Sequence, residues 1–380
     1  MATVSQRELE RRWQAAREVM RESRLDFLVA QSSVAIFDAT VRWFTDISVE
    51  DGYTVTVIFP VDEGMTTISH GPMSEEPSPA SAPGVKKRVL SPMLPTLVSA
   101  RLHAEKVVEE LAPFKGRRIG LVGTNLMSAA FFKHLTTHLP GAEFEDATDL
   151  FDRLKAIKSE EEADLIRGTY RLQDAVFSHI LSQVRVGADT NEIRAEVVRK
   201  SISLGGDKTN VIVWVTPEGG SARSTAPKVL ENGDQVALLI ETNGPGGFWG
   251  ELGRIITVGE PSAVLREQFG IAQELQKQAL AMLVPGAKPR DIWDANNRVL
   301  RSRDSGEERR IFAHGMGYDM VERPAIDLIE TMTIAEGMSI VVHPAAVKAG
   351  AHGWVCDNYL VTRTGASACL HKTEQRIFAV

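Results

Sequence analysis

"DLFDRLKAIKSEEEADLIRGTYRLQDAVFSHILSQV", residues 149–184, breaks the rhythm of the chain. Ser159 stands three residues ahead of Glu162. Its hydroxyl can take the first free amides of a helix while the glutamate reaches back to the Ser159 N–H, a capping box. Apolar residues then recur at helical spacing, which predicts one long amphipathic helix. Before this stretch, strand and helix alternate. Residues 5–23 have a helical period, "LDFLVAQS" (25–32) and "YTVTVIFPV" (53–61) are β-branched runs, and "MTTIS" is a short strand. The Pro- and Ser-dense "GPMSEEPSPASAPG" (71–84) reads as a loop, followed by a helix over 96–112 and a strand over 117–123. This alternation predicts an α/β domain over 1–155. After the capping box come a helix from Thr190 to Leu204, the strands "NVIVWV", "DQVALLIET" and "GRIITVG", a helix over 262–284, the helix "PRDIWDANNRVLRS", and a strand-rich end with "MSIVVHPAAV" and "WVCDNYLVT". Residues 156–380 are therefore expected to form an α+β domain, with helices on one face of a curved, mostly antiparallel sheet.

Composition narrows the class of function. Of 380 residues 43% are apolar and 24% charged, as in an ordinary globular protein. The net charge of −7 and the lack of any Lys/Arg run argue against nucleic acid or an anionic membrane as partner. No window holds eighteen apolar residues, so no membrane span is expected. "MATVSQRELERRWQAAREVMRES" has no apolar centre and is not read as a signal peptide. The two cysteines, Cys356 and Cys369, form no disulfide framework and are read as thiols in a reducing compartment. The cytoplasm is the expected location.

Four segments place polar residues on strands or tight turns. In "LLIETNGPGGFWGELGRI" (238–255), Glu241 ends an apolar strand, and Glu251 and Arg254 follow a glycine-rich turn; exposed acids of a hairpin would give the same pattern. In "HGMGYDMVERP", His314 precedes Gly315 and Gly317, which would let backbone approach a ligand, and Glu322 precedes Arg323. In "GMSIVVHPAAV", His343 interrupts an apolar strand. In "GWVCDNYLVT", Cys356 and Asp357 stand inside a strand, where a buried carboxylate needs a partner.

Together these segments resemble the pita-bread family of aminopeptidase P, prolidase, methionine aminopeptidase and creatinase, across nearly the whole chain. Residues 1–155 resemble the creatinase/prolidase N-terminal domain, "LFDRLKAIKSEEEADLIRGTYRLQDAVF" the inter-domain signature, and "LENGDQVALLIE" the Gly-Asp-x-Val strand. The resemblance implies an α/β N-terminal domain plus a pita-bread C-terminal domain, 1–155 and 156–380. It also implies a homodimer whose first domain covers the other chain's pocket. Family peptidases hold two divalent metals with two Asp, one His and two Glu. Here the resemblance puts Ile240 or Glu241 at the first Asp position and Glu251 at the second. His314 matches the ligand histidine, while His343 and Cys356 take the two Glu positions and Asp357 follows. Val321 replaces a second histidine. Arg223, Ser224 and Thr225 stand where the upstream catalytic histidine is expected.

Such a set is short of anionic oxygens for two dications. A creatinase-like hydrolase or lyase, cleaving a C–N bond of a small molecule by acid/base chemistry without a dinuclear centre, is the expected function. His314, His343, Glu251, Glu322 and Cys356 would be catalytic, with imidazole shuttling protons near neutral pH, Glu251 or Glu322 orienting it, and Cys356 as a candidate nucleophile. Glu241, Trp249, Tyr318, Arg323, Asp357 and Arg223 would bind substrate, Arg323 through its planar fork, whereas Arg254 is read as structural. No cofactor is favoured. A single Zn or Fe on Glu251, His314, His343 and Cys356 is the alternative, and it would make the chain a metal-dependent Xaa-Pro aminopeptidase or dipeptidase with unusual ligands. A non-catalytic binding protein on the same scaffold is the third reading.

Overall fold

A computed structural model describes residues 3–32, 39–48, 53–71, 82–92, 96–114 and 116–380. Most of the 71–84 stretch lies outside the described residues. The chain divides into two compact units, Thr3–Lys155 and Ala156–Val380.

The first unit carries α1 (Gln6–Glu22), β1 (Phe27–Gln31), α2 (Ala39–Thr45), β2 (Thr56–Pro60), β3 (Met65–His70), β4 (Val85–Ser91), α3 (Thr96–Leu111), β5 (Arg118–Val122), α4 (Ala129–His138), β6 (Glu143–Asp146) and α5 (Thr148–Ala156). Its described strands order as β4-β3-β2-β1-β5-β6. β2 is antiparallel to both its neighbours, and β5 runs parallel to β1 and β6. Val29, Ile58, Ile68 and Leu121 of the sheet pack with Val107, Phe131 and Leu135 of the helices. β4 was not expected from the sequence: its central Lys86, Lys87 and Arg88 are exposed, the charges that keep an edge strand from pairing further.

The second unit opens with α6 (Glu160–Leu181). The Ser159 hydroxyl accepts from the Glu162 N–H at 3.2 Å and the Glu162 carboxylate accepts from the Ser159 N–H at 2.7 Å, so the capping box forms. Three acids in the first turn suit the positive end of the helix dipole. α7 (Thr190–Ser203), β7 (Thr209–Thr216), β8 (Gln235–Asn243), β9 (Trp249–Thr257), α8 (Ala263–Met282) and α9 (Pro289–Ser302) follow. Then come β10 (Ala313–Gly315), β11 (Glu322–Ala325), β12 (Ser339–Val342), β13 (Ala345–Lys348), β14 (Ala351–Trp354), β15 (Asp357–Thr362), β16 (Gly365–Ala366) and β17 (Phe378–Ala379). One sheet is β17-β9-β8-β7, a second β11-β10-β12-β15-β16, and β13-β14 is a hairpin. An isolated bridge between Gly253 and Cys356 links the two larger sheets.

Strand alternation decides which side chains meet. Leu238, Ile240, Leu252 and Ile256 pack with Val176, Phe177 and Ile180 of α6. Ala313, Ile340, Val342, Tyr359 and Val361 pack with Leu283, Ile292 and Trp293 of the α8–α9 region. The intervening residues, Glu241, Glu251, His314, Val341 and His343, therefore turn to the opposite face. α6 sits close behind β8 and β9 because Gly250 leaves room for it: a Cβ there would lie 2.7 Å from the Tyr170 ring. Gln173 then donates to the Ile240 and Gly250 carbonyls at 3.0 and 2.6 Å.

Two expected strands are each split. "MSIVVHPAAV" breaks at His343-Pro344, because proline restricts the residue before it and has no N–H for the ladder. "WVCDNYLVT" breaks after Trp354, which leaves Val355 and Cys356 between β14 and β15. Among the described residues no helix is long and apolar enough to cross a membrane.

Candidate active site

Glu241 and Glu251 are direct cross-strand partners on β8 and β9. That register places Glu241, rather than Ile240, beside Glu251. Asn210, opposite Glu241 on β7, donates to its carboxyl. Both acids are buried, and two adjacent carboxyls cannot both ionise cheaply in a site with little water. Burial, then the charge and hydrogen bond of Glu251, push Glu241 up to about 9. Burial acts to raise Glu251 as well, but the hydrogen bond and charge of His314, then the charge of His343, hold it down to about 2. The pair keeps one proton, on Glu241, and one negative charge, on Glu251.

Glu251 is the centre of the site. Its Oε1 lies 3.4 Å from Nε2 of buried His314, and its Oε2 accepts from the Cys356 thiol at 3.4 Å. His314 Nδ1 is 2.9 Å from the Gly315 carbonyl. A carbonyl only accepts, so Nδ1 carries a proton. Nε2, facing a carboxylate oxygen, must then either carry a second proton or share a cation with Glu251. Burial lowers the affinity of His314 for that proton, but the bond to Glu251, the Glu251 charge, the Gly315 carbonyl and Glu322 outweigh it and raise its pKa. His343, partly exposed, lies edge-on to His314 with ring centroids 5.2 Å apart. Burial first, then His314 and Arg310 against the opposing pull of Glu251, lower it to about 4, so it is a neutral imidazole at pH 7. Glu251, His314 and His343 each offer one ligand atom, all within 4.8 Å of one another.

The other expected site residues have different surroundings. Cys356 is fully buried. Burial, then Glu251 and Asp357, raise its thiol well above the ordinary value. A thiol donating to a carboxylate is not a thiolate, which corrects its expected part as nucleophile, and Cys356 is not among the residues whose ligand atoms cluster. Cys356→Ala is expected to keep kcat/KM within about tenfold of wild type, the value of one weak hydrogen bond. Steady-state kinetics on the best substrate checks this, and a collapse to the level of a His314 variant would restore the nucleophile.

Asp357 follows the opposite strand parity. It is fully buried on the helix side and accepts from Arg254 Nη2 at 2.7 Å and from Gln375 at 2.5 Å. It is therefore not a substrate contact, because its carboxylate is consumed by a guanidinium behind the sheet. Glu322 is also buried and bonded to Lys158 Nζ at 2.7 Å. It reaches His314 only through its charge, not as the residue that orients the ring. The space at Gly317 serves this pair: a Cβ would lie 2.5 Å from Glu322 Oε1 and 2.6 Å from Lys158 Nζ. Gly315 likewise makes room for the Arg323 carbonyl, 2.4 Å from a Cβ there. Arg323 grips Glu330 through Nε at 3.0 Å and Nη2 at 2.5 Å, so its fork is taken by a protein carboxylate instead of a substrate's. Tyr318 stacks on Phe248 at 4.4 Å, and both it and Trp249 are buried as core. The Trp249 N–H donates to the Gly317 carbonyl at 2.7 Å, tying β9 to the turn after β10. Arg223 lies over Trp214 and against His352.

Asn210, Lys158, Arg310 and His352 were not singled out in the sequence. Lys158 and Glu322 are 164 positions apart, so no local pattern announces them. Asn210 carried a weak signal, a polar residue in the run "NVIVWV".

Comparison with known proteins gives this arrangement its context. Residues 164–363 match metallopeptidase family M24, and residues 12–157 match the creatinase/prolidase N-terminal domain. The Xaa-Pro dipeptidase of Pyrococcus furiosus is 24% identical over 68% of this chain and 75% of its own. Among solved structures, the Xaa-Pro dipeptidase from Bacillus anthracis superposes with a TM-score of 0.80 at 20% identity, covering 98% of this chain and all of that one. Dipeptidase PepE from Mycobacterium ulcerans does so with 0.79 at 19% identity over the full length of both. Both likenesses are of fold.

Proposed function

The chain belongs to metallopeptidase family M24, a family of hydrolases, and from that premise we propose that it hydrolyses a C–N bond of a small molecule by acid/base chemistry at Glu251, His314 and His343, without a dinuclear metal centre. The supporting observation is the protonation that His314 requires: Nδ1 donates to the Gly315 carbonyl while Nε2 faces Glu251 Oε1 at 3.4 Å.

The family's two-ion arrangement does not fit these residues. Two dications need several anionic oxygens, whereas the clustered ligand atoms come from one carboxylate, Glu251, and two imidazoles, His314 and His343. In our reading, His314 is an imidazolium whose charge Glu251 balances. Neutral His343 takes a proton from water as the water attacks the carbon, and His314 Nε2 gives its proton to the departing nitrogen as the C–N bond breaks. Glu241, kept neutral by burial and by Glu251 against the opposing hydrogen bond of Asn210, adds no charge to repel an anionic intermediate. The working form is taken to be a cytoplasmic homodimer.

One observation favours a second reading. The 3.4 Å between His314 Nε2 and Glu251 Oε1 is long for a hydrogen bond and suits two ligands of one tetrahedral ion with bonds of about 2.0–2.2 Å. A single Zn or Fe would then be held by Glu251, His314 and His343, and would supply Lewis-acid polarisation to a metal-dependent Xaa-Pro dipeptidase.

Protein purified without added metal and stripped with chelator separates the two. Elemental analysis and turnover are measured together on Xaa-Pro dipeptides and on small amides, amidines and ureas. Turnover that persists with sub-stoichiometric metal is the expected result. Loss on chelation, with recovery on adding Zn or Fe, would replace the acid/base reading with the single-ion one.

A further inference from the structure

A cavity of about 450 Å³ is lined in part by Ala345, which follows His343 by two residues in the chain. This volume suits a small molecule. Three arginines line it, and two have no carboxylate partner within ion-pair distance among the described residues. Arg223 lies 4.4 Å above the Trp214 ring, and its Nη1 is 2.9 Å from Nε2 of buried His352. A guanidinium only donates, so that imidazole nitrogen accepts and His352 is neutral; burial, then Arg223 and Arg310, lower its pKa to about 3. Arg309, exposed at the rim, has no side-chain partner among the described residues. The third, Arg310, is spent on Glu308 at 2.9 and 2.6 Å. Glu308 Oε1 also accepts the backbone N–H groups of Arg309 and Arg310, and Glu307 is held by Arg301 at 2.7 Å. The acids on the wall are thus neutralised, and two guanidinium charges remain.

We propose that this cavity binds a small dianion through Arg223 and Arg309, with Arg223 fixed by Trp214 and His352 so that its remaining N–H groups form a planar donor pair. A guanidinium fork matches carboxylate and phosphate oxygens alike, and two unpaired cations call for two negative charges. That the dianion is part of the substrate rests on the reading of Glu251, His314 and His343 as the reacting centre, and on the cavity being lined by Ala345, two residues after His343. The substrate would then be a dicarboxylic or phosphorylated amide with its anionic end in this cavity.

Isothermal titration of the full-length protein with inorganic phosphate, succinate and acetate at constant ionic strength tests the assignment without any turnover. Phosphate or succinate is expected to bind, with acetate about tenfold or more weaker. Binding of phosphate alone identifies a phosphorylated ligand, and of succinate alone a dicarboxylate. Arg309→Gln, on an exposed side chain that the fold does not need, is expected to weaken the dianion about tenfold, and Arg223→Gln to abolish its binding. No binding of either dianion, equal affinity for acetate, or unchanged affinity in both variants overturns the proposal. Dianion binding in a protein that turns over no C–N substrate would keep the anion site and remove the catalytic reading instead.

Discussion

Replacing His314 with Gln is expected to lower kcat/KM on the best C–N substrate by about 10²–10⁴-fold, the range for loss of a positioned proton donor. Glutamine can still donate to the Gly315 carbonyl and still face Glu251, but it carries no transferable proton and no charge. Stability is expected to fall as well, because Glu251 loses the imidazolium that balances its buried charge. The expected signature is loss of kcat in protein that still unfolds cooperatively. The reading fails if His314→Gln and His343→Gln turn over every responsive substrate at the wild-type rate.

The second large effect is structural. Arg254 makes five hydrogen bonds: to the Gly253 and Cys356 carbonyls at 2.8 and 3.0 Å, to Asp357 at 2.7 Å, and to the Glu374 and Thr373 carbonyls at 2.9 and 2.6 Å. It thereby joins β9, the β14–β15 junction and the C-terminal segment. Arg254→Met would leave the Asp357 carboxylate buried with Gln375 alone, and removing one member of a buried ion pair costs about 3–5 kcal/mol. For a unit of this size that corresponds to a drop in Tm of about 10 °C. Arg254→Met with Asp357→Leu is expected to recover much of this, because it removes the stranded charge. A single variant melting within about 1 °C of wild type would show that the pair contributes no net stability.

Much of the architecture was legible because its causes are local. The capping box at Ser159 and Glu162 needs only residues three apart, and it placed the start of α6. The run at 53–61 reads as a strand from its β-branched alternation, and the run at 235–243 from its continuous apolar stretch, which β8 buries along its whole length. The break at His343-Pro344 was also written in the sequence, through the missing N–H of Pro344, although the run was read as one strand.

The site was legible in part. Glu251, His314 and His343 stood out as polar residues in apolar surroundings, and the structure brings them within ligand distance of one another. Asp357 and Glu322 stood out for the same reason but have other tasks. A polar residue in a buried strand needs a partner, and the pattern does not say whether that partner is substrate or protein. For Asp357 it is Arg254, 103 positions away, and for Glu322 it is Lys158. Cys356 looked like a nucleophile, but burial and the neighbouring Glu251 charge keep its proton on sulfur.

By itself, then, the sequence determined the two-unit division, the order of helices and strands, and the presence of imidazole and thiol where family peptidases have carboxylates. Those features depend on neighbours along the chain and on residue type. The tertiary structure alone decided that Glu241 rather than Ile240 adjoins Glu251, that Glu251 carries the charge, and that Arg223 and Arg309, on one cavity wall, have no carboxylate partner among the described residues. Each of these depends on strand register and burial, through which residues distant in sequence set one another's protonation.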